Sequence, residues 1–388
     1  MQIIEVNSEK TARAFIHMAP KLYQEDAHYI RPLDADVDAV FNPEKNMAFQ
    51  DGGCKRWLLL GDNDAYIGRI AAFYTKDTKT RYEQPTGACG FFECINDQKA
   101  ANLLFDTAKS WLQEQGLQAM DGPVNFGDRD KWWGLLVDGF YEPCYQCNYN
   151  PPYYQDLFES YGFEVYFKQY TYWRRISEPL DTKYAERAKR ILENRGYSFG
   201  HADLNDLEKA ARDFRQVYNE AWARHEGIGE LSEEQTKALL SSMRPILDPN
   251  LIWFTYFNNK PVGFFVSIPD INQLIVKHVK GKLSLWGKLL FLFRKKRKLC
   301  KTIFGIVFGV SPQHQKKGVE IAMIVESAKL LQDKKAMKYK ELQMNWIGDF
   351  NPKMMRVAEN IGAKIYKTHH TYRYLFDREQ PFTRYPIL

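Results

Sequence analysis

The chain has 388 residues, 45% of them apolar and 15% aromatic, and a net charge of +6. This length exceeds one ordinary core and predicts two or three domains; no window approaches the roughly 18 unbroken apolar residues of a membrane span, and six cysteines make no disulfide framework. The opening MQIIEVNSEK lacks the basic-then-apolar layout of a secretion signal, so a cytoplasmic protein with reduced thiols is expected.

In chain order, Ser8 is placed to cap an amphipathic helix over roughly 9–24. WLLLGDNDAYIGRIAAF (57–73) reads as strand, polar turn, strand, followed by the helix AANLLFDTAKSWLQ (100–113). An aromatic-rich segment (126–147) leads into NPPYYQDLFESYGFEVYFKQYTYW (150–173), a helix and a strand. A linker helix is expected within 177–196. The order then restarts: strand 197–203, helix 205–224 capped by Asn205, helix 232–246, strands 251–257 and 261–268. After an insertion come strand 302–310, helix 318–335, strand 339–345, helix 351–361 and strand 363–376.

The restart is a repeat. NPKMMRVAENIGAKIYKTHHTYR (351–373) matches 150–173 when Gly362 is aligned on Gly162, an offset of 200. Both copies place Glu three residues before the glycine (Glu159, Glu359), Tyr at +4 (Tyr166, Tyr366) and Thr-Tyr at +9 and +10 (Thr171-Tyr172, Thr371-Tyr372). Gly68 and Gly263 align at an offset of 195, Ser8 and Asn205 at 197, and the Ala-Lys pairs at 108 and 328 at 220. Two insertions account for the drift: one in the second copy before the helix at 318, and one in the first copy over the aromatic segment. The expected domains are therefore 1–176 and 197–388, joined by 177–196. Strands first, then strand and helix in alternation, predict an α+β fold with mixed, mostly antiparallel sheets flanked by helices.

Charge is concentrated in the second copy's insertion (275–301). Ten Lys and Arg residues and no acid lie between Lys277 and Lys301, and removing them from the net +6 leaves the rest at −4. One segment of this kind is not the basic face of a nucleic-acid binder, so no specific nucleic-acid partner is expected. KGKLSLWGKLLFLFRKKRK (280–298) mixes clustered cations with apolar residues and suits weak contact with an anionic bilayer, a cover over the active site, or a channel for an anionic substrate.

Between strand 302–310 and helix 318–335 runs SPQHQKKGVE (311–320). A strand running through a glycine-bearing loop into a helix start presents outward backbone N–H groups with the positive end of the helix dipole behind them, a site for a pyrophosphate. Lys316 and Lys317 add positive charge, and Gly318 permits close approach. The loop Gln315-x-x-Gly318, with MNWIGDFNPKMMRVAENIGAKIY after it, resembles the GNAT acyltransferase superfamily, and the whole chain resembles bacterial tandem-GNAT proteins bearing GFFEC, GPVN and YNPPYY (90–94, 122–125, 149–154). The resemblance implies two acyl-CoA N-acyltransferase-like domains. It implies acetyl-CoA or another acyl-CoA as substrate, held by Phe308, Val310, Gln315, Lys316, Lys317, Gly318, Val319 and Asn351, with a small-molecule or peptide amine as acceptor and no metal. Glu320 departs from the family pattern, which has a small residue there.

The first copy has no such loop and is expected to serve as scaffold and substrate wall. The family's usual catalytic groups are missing from the second: TIFGIVFGV carries no acid, and Ala358 (Phe158 in the first copy) stands where a Tyr acid is usual. Asn345 and Tyr372 are the remaining catalytic candidates, with turn formation and core packing as their alternative roles. Alternation along one strand is expected to send one of His369-His370 inward and the other outward, which argues against a shared metal. Cys144-x-x-Cys147 reads as buried free thiols. An acyl-CoA-dependent acyltransferase leads; a CoA-binding module without turnover and a Fem-type aminoacyl-tRNA-dependent transferase are the alternatives.

Overall fold

The structure is a computed structural model that describes residues 1–80, 84–222, 230–333 and 338–387. The first unit contains β1 (Gln2–Glu5), α1 (Glu9–Leu22), α2 (Asp34–Val40), β2 (Gly52–Leu60), β3 (Tyr66–Thr75), α3 (Lys76–Thr80), β4 (Thr86–Cys94), α4 (Gln98–Glu114), β5 (Ala119–Gly122), β6 (Leu135–Asp138), α5 (Tyr154–Tyr161) and β7 (Glu164–Arg175). The linker helix is α6 (Thr182–Leu192). The second unit contains β8 (Tyr197–His201), α7 (Leu207–Trp222), α8 (Glu233–Met243), β9 (Ile252–Phe257), β10 (Lys260–Pro269), α9 (Ile271–Leu274), α10 (Leu285–Lys296), β11 (Thr302–Val310), α11 (Val319–Gln332), β12 (Glu341–Gly348), α12 (Pro352–Asn360) and β13 (Lys364–Leu375).

Local chemistry accounts for the element boundaries. Ser8 caps α1 and forms a reciprocal box with Thr11. At α7 the cap is Asp206, whose carboxylate accepts from the Lys209 N–H at 2.9 Å; the predicted Asn205 instead donates its own N–H to Asp203. An aspartate offers two acceptor oxygens to the helix start, so it takes the position one residue later. The predicted helix ends at 224 and 335 lie outside the described residues.

Among the described residues thirteen strands form one continuous sheet, in the order β1-β2-β3-β4-β5-β13-β7-β12-β11-β10-β9-β8, with β6 also paired to β13. The sequence predicts two sheets, one per domain. The order shows that the units exchange their last strands. β7 runs antiparallel to β12 of the second unit, and β13 runs antiparallel to β5 of the first. The two exchanged strands pair with each other, and Gln169 lies directly opposite His369. These residues are 200 apart, the repeat offset, so a pseudo-twofold axis passes between them. The boundary at 176 divides the repeat but not the sheet.

The exchange is locked by side chains. Arg373 on β13 makes two hydrogen bonds to Asp121 on β5, at 2.7 and 3.0 Å, with both residues buried. Tyr372 and Tyr374 complete the first unit's core around Phe105, Phe158 and Phe163, and Tyr172 and Ile176 complete the second unit's core.

Candidate functional site

In the second unit, β11 pairs in parallel with β12 only from Thr302 to Gly305, opposite Glu341 to Met344. On its other edge β11 stays paired with β10 as far as Val310. Beyond Gly305 the strands diverge and leave a wedge whose β11 wall is Ile306 to Val310. Ile306, Val307 and Phe308 are half-buried. Backbone N–H and C=O groups on such an edge need partners and present a template for an extended, hydrogen-bonding ligand.

The loop after β11 is pinned at several points. The Ser311 N–H donates to the Val262 carbonyl at 2.9 Å, the Gln315 side chain donates to the Val310 carbonyl at 2.8 Å, and the Tyr197 hydroxyl meets His314 Nδ1 at 2.8 Å. Lys316 and Gly318 both have positive φ, +61° and +92°. Gly318 is the N-cap of α11, and no side chain caps the helix there. The first-turn N–H groups, which have no intrahelical acceptor, are thus left for an outside anion. Lys316 and Lys317 are exposed beside them. Glu320 lies close enough to Tyr184 on α6 to raise its phenol pKa, after burial, so its charge is felt on the α6 side.

The first unit shows the same architecture closed. β4 pairs with β5 only over Thr86 to Ala88, so a wedge opens here as well, but the chain itself fills it. The Val124 N–H donates to the Cys89 carbonyl at 2.9 Å, and Gly90 abuts the Val124 carbonyl so closely that a Cβ would sit 1.9 Å from it. Tyr154 accepts from the Cys94 N–H, and Tyr153 donates to the Cys94 carbonyl. The α4 start is also taken: Asp97 accepts from the N–H groups of Lys99 and Ala100 at 2.8 and 3.1 Å. An aspartate of the chain occupies the position that Gly318 leaves open.

The predicted site residues divide accordingly. Phe308, Val310, Gln315, Lys316, Lys317 and Gly318 line or build the wedge and loop; Val319 contributes its backbone, since its side chain is buried in the core. Asn351 caps α12 by accepting from the Met354 N–H at 3.1 Å, so its side chain is engaged in holding that helix. Asn345 is the first β12 residue beyond the last β11 pair, at the apex of the wedge. Its amide donates to Cys147 Sγ at 3.2 Å, and its Oδ1 is buried with no partner among the described residues. Tyr372 is not at the wedge. It is fully buried in the first unit's core, packed on Phe158 and donating to Glu159, because the strand exchange carries β13 away from its own unit. Burial and Glu159 both raise its pKa, the wrong direction for a proton donor. The cysteines are free, and burial raises the Cys147 thiol to about 12.

A cavity of about 70 Å³ lies between α1, the start of α2, the end of β4 and the aromatic segment, and Cys147, the hydrogen-bond partner of Asn345, is part of its wall. Glu93 is also in that wall. Its carboxylate accepts from Tyr23 and Tyr154 at 2.7 and 2.8 Å and from Arg69 at 3.3 Å. Burial raises its pKa, and those three donors oppose the rise. The net direction is upward, so Glu93, held by these partners, organises the cavity wall as a carboxylate more basic than an exposed one. The sequence signal for Glu93 is a lone carboxylate in GFFEC, within a strand that carries no other charge. Among the described residues no group of three His, Cys, Asp or Glu side chains is arranged to hold a metal.

The one long sheet with an exchanged strand pair, and the wedge and glycine-led helix in one unit, decide the fold. It is the tandem GNAT fold. A tandem GNAT protein from the clavulanic acid biosynthesis pathway superposes over 98% of this chain and 99% of its own at a TM-score of 0.55, with 8% identity. In sequence, the bacterial ceramide synthase of Caulobacter vibrioides (strain NA1000 / CB15N) is 26% identical over 96% of this chain and 97% of its own. Protein YghO of Escherichia coli (strain K12) is 25% identical over 93% of this chain and 92% of its own. No family model matches. Within the tandem GNAT fold of this chain, the second unit alone keeps the wedge open.

Proposed function

We propose that this protein is an acyl-CoA-dependent N-acyltransferase whose second unit holds the thioester and whose acceptor is a long-chain amine. The observation that carries the reading is the open β11 edge from Ile306 to Val310 leading into a helix start capped only by Gly318. The pantetheine arm hydrogen-bonds along that edge, and the pyrophosphate meets the α11 N–H groups beside Lys316 and Lys317. The acceptor class is suggested by the Caulobacter relative, since a ceramide is the amide of a fatty acid with a long-chain amino alcohol. In the transfer the neutral amine attacks the thioester carbonyl, a C–N bond forms, the C–S bond breaks, and the amine's surplus proton leaves to the thiolate or to water. With no carboxylate on β11, rate enhancement rests on positioning of the two reactants and on the amide of Asn345 at the wedge apex.

Titration calorimetry with acetyl-CoA and a series of longer acyl-CoAs tests the first part. Binding that Gly318→Glu abolishes is expected, and no binding of any member refutes the reading. Mass spectrometry of the products formed from long-chain acyl-CoA and sphinganine tests the second. An amide product is expected; binding without product across a panel of amines would assign the chain to a CoA-binding module. The tRNA-dependent alternative requires tRNA binding that weakens steeply with salt.

A further inference from the structure

The segment between β10 and β11 forms α10, and α10 turns its apolar face outward. Leu285 is 78% exposed and Trp286 81%, and Leu289, Leu292 and Phe293 are more than half exposed. At 3.6 residues per turn these five positions lie on one stripe of the helix. A solvent-facing apolar stripe of this size marks an interaction surface.

The helix is held in that orientation. Leu290 and Phe291 pack into the cluster that contains Ile30, Ile306 and Val307. Arg294 donates to the carbonyls of Leu274 and Gln273 at 2.9 and 3.0 Å, and Lys295 donates to the carbonyl of Pro245. Gly287 lets the helix lie close, since a Cβ there would meet Leu283 and Val279 at 3.1 Å. The segment is also tied to the cavity rim, where the Asp34 N–H donates to the Gly281 carbonyl at 2.8 Å. α10 thus bridges the β11 wall of the wedge and the segment bounding the cavity.

The charges around the stripe select its occupant. Lys282, Lys288, Lys296, Arg297 and Lys298 are exposed around it, and no acid lies between Lys277 and Lys301. A twofold contact between copies through this face would bring two basic clusters together, and the segment itself carries no acid to offset them. An anionic lipid surface takes the apolar stripe into its acyl boundary and the cations among its headgroups. Among the described residues no helix is long and apolar enough to cross a membrane. We propose that α10 is an interfacial anchor that docks this protein on an anionic bilayer, with the wedge and the cavity rim held at the lipid surface. The proposal stands on α10 alone and does not depend on the acyl-transfer reading.

Flotation of the full-length protein with vesicles tests it. The wild type is expected to float with an equimolar phosphatidylcholine and phosphatidylglycerol mixture, to float poorly with phosphatidylcholine alone, and to be released by high salt. The triple variant Leu285→Glu, Trp286→Glu, Leu289→Glu should remain in the aqueous fraction with an unchanged melting curve, since all three side chains are exposed. Replacing Lys288, Lys296 and Lys298 with Gln should weaken binding by about tenfold or more. A blue shift of tryptophan emission on vesicle addition should vanish in Trp286→Phe. A wild type that stays in solution with both vesicle types, or a Glu triple that floats as well as the wild type, overturns the proposal. So does a dimer in light scattering that Trp286→Glu dissociates, which would make the stripe a self-interface. Acyl-CoA titration of the Glu triple separates the two readings, because its cofactor site is untouched.

Discussion

The Tyr372 hydroxyl donates to the Glu159 carboxylate at 2.8 Å, and its repeat counterpart Tyr172 donates to Glu359 at 3.3 Å. Each tyrosine follows the glutamate of its own copy along the chain, and each reaches past it to the glutamate of the other. The pairing is a direct readout of the exchanged strands. A double-mutant cycle in urea denaturation on Tyr372→Phe and Glu159→Gln should give a coupling of about 1 kcal/mol, while Tyr372→Phe with Glu359→Gln should be additive. Coupling in the same-copy pair instead would contradict the exchange.

The Asp121–Arg373 pair joins β5 to β13 across the same exchange and is buried on both sides. Asp121→Ala leaves a buried guanidinium without its carboxylate and should cost about 3–5 kcal/mol, measured by chemical denaturation. A fragment ending at residue 176 lacks β13, which leaves the β5 edge bare. Expressed alone it should aggregate, and co-expression with 177–388 should restore a soluble complex. A monomeric, cooperatively folding 1–176 fragment would show that the exchange is dispensable.

Asn345 sits at the wedge apex with its amide oxygen unpartnered among the described residues. Asn345→Ala should lower kcat by about 10- to 100-fold and leave the acyl-CoA dissociation constant within about twofold, as the loop at 311–318 is untouched. Steady-state kinetics with calorimetry separates this outcome from the structural role, in which kcat holds and thermal stability drops.

His369 is 1% exposed, and burial lowers its imidazole pKa to about 3, although its Nε2 contacts the Asn148 carbonyl. The folded pKa lies below the unfolded value near 6.5, so between these two values the unfolded chain binds the extra proton. Stability from this residue is full above about 6.5 and falls as pH drops toward 3. Between pH 7 and pH 5 the loss should be about 2 kcal/mol, and His369→Gln should reduce that dependence, measured as the urea midpoint at each pH. An unchanged pH dependence in the variant would show that His369 does not titrate on unfolding.

Much of this protein is legible along the chain. Periodicity and caps place nearly every element of the second unit, because amphipathic spacing and cap residues act locally. The repeat is visible in Glu159, Gly162 and Tyr172 and their counterparts. The loop from Gln315 to Gly318 declares itself because a strand-to-helix turn of that shape needs glycine at a positive φ.

What the chain could not reveal is where each copy sends its last strand. β7 and β13 have the same apolar alternation and fit either sheet, so the exchange depends on non-local contacts such as Arg373 with Asp121. That exchange placed Tyr372 in the first unit's core, out of reach of the wedge. The closing of the first unit's wedge by Val124, the gathering of Glu93 with Tyr23, Tyr154 and Arg69, and the outward turn of the α10 stripe were likewise decided only in three dimensions. Composition marks the 280–298 segment as apolar and basic, but only the packing of Leu290, Phe291 and Arg294 determines which face the protein keeps and which it leaves to the surroundings.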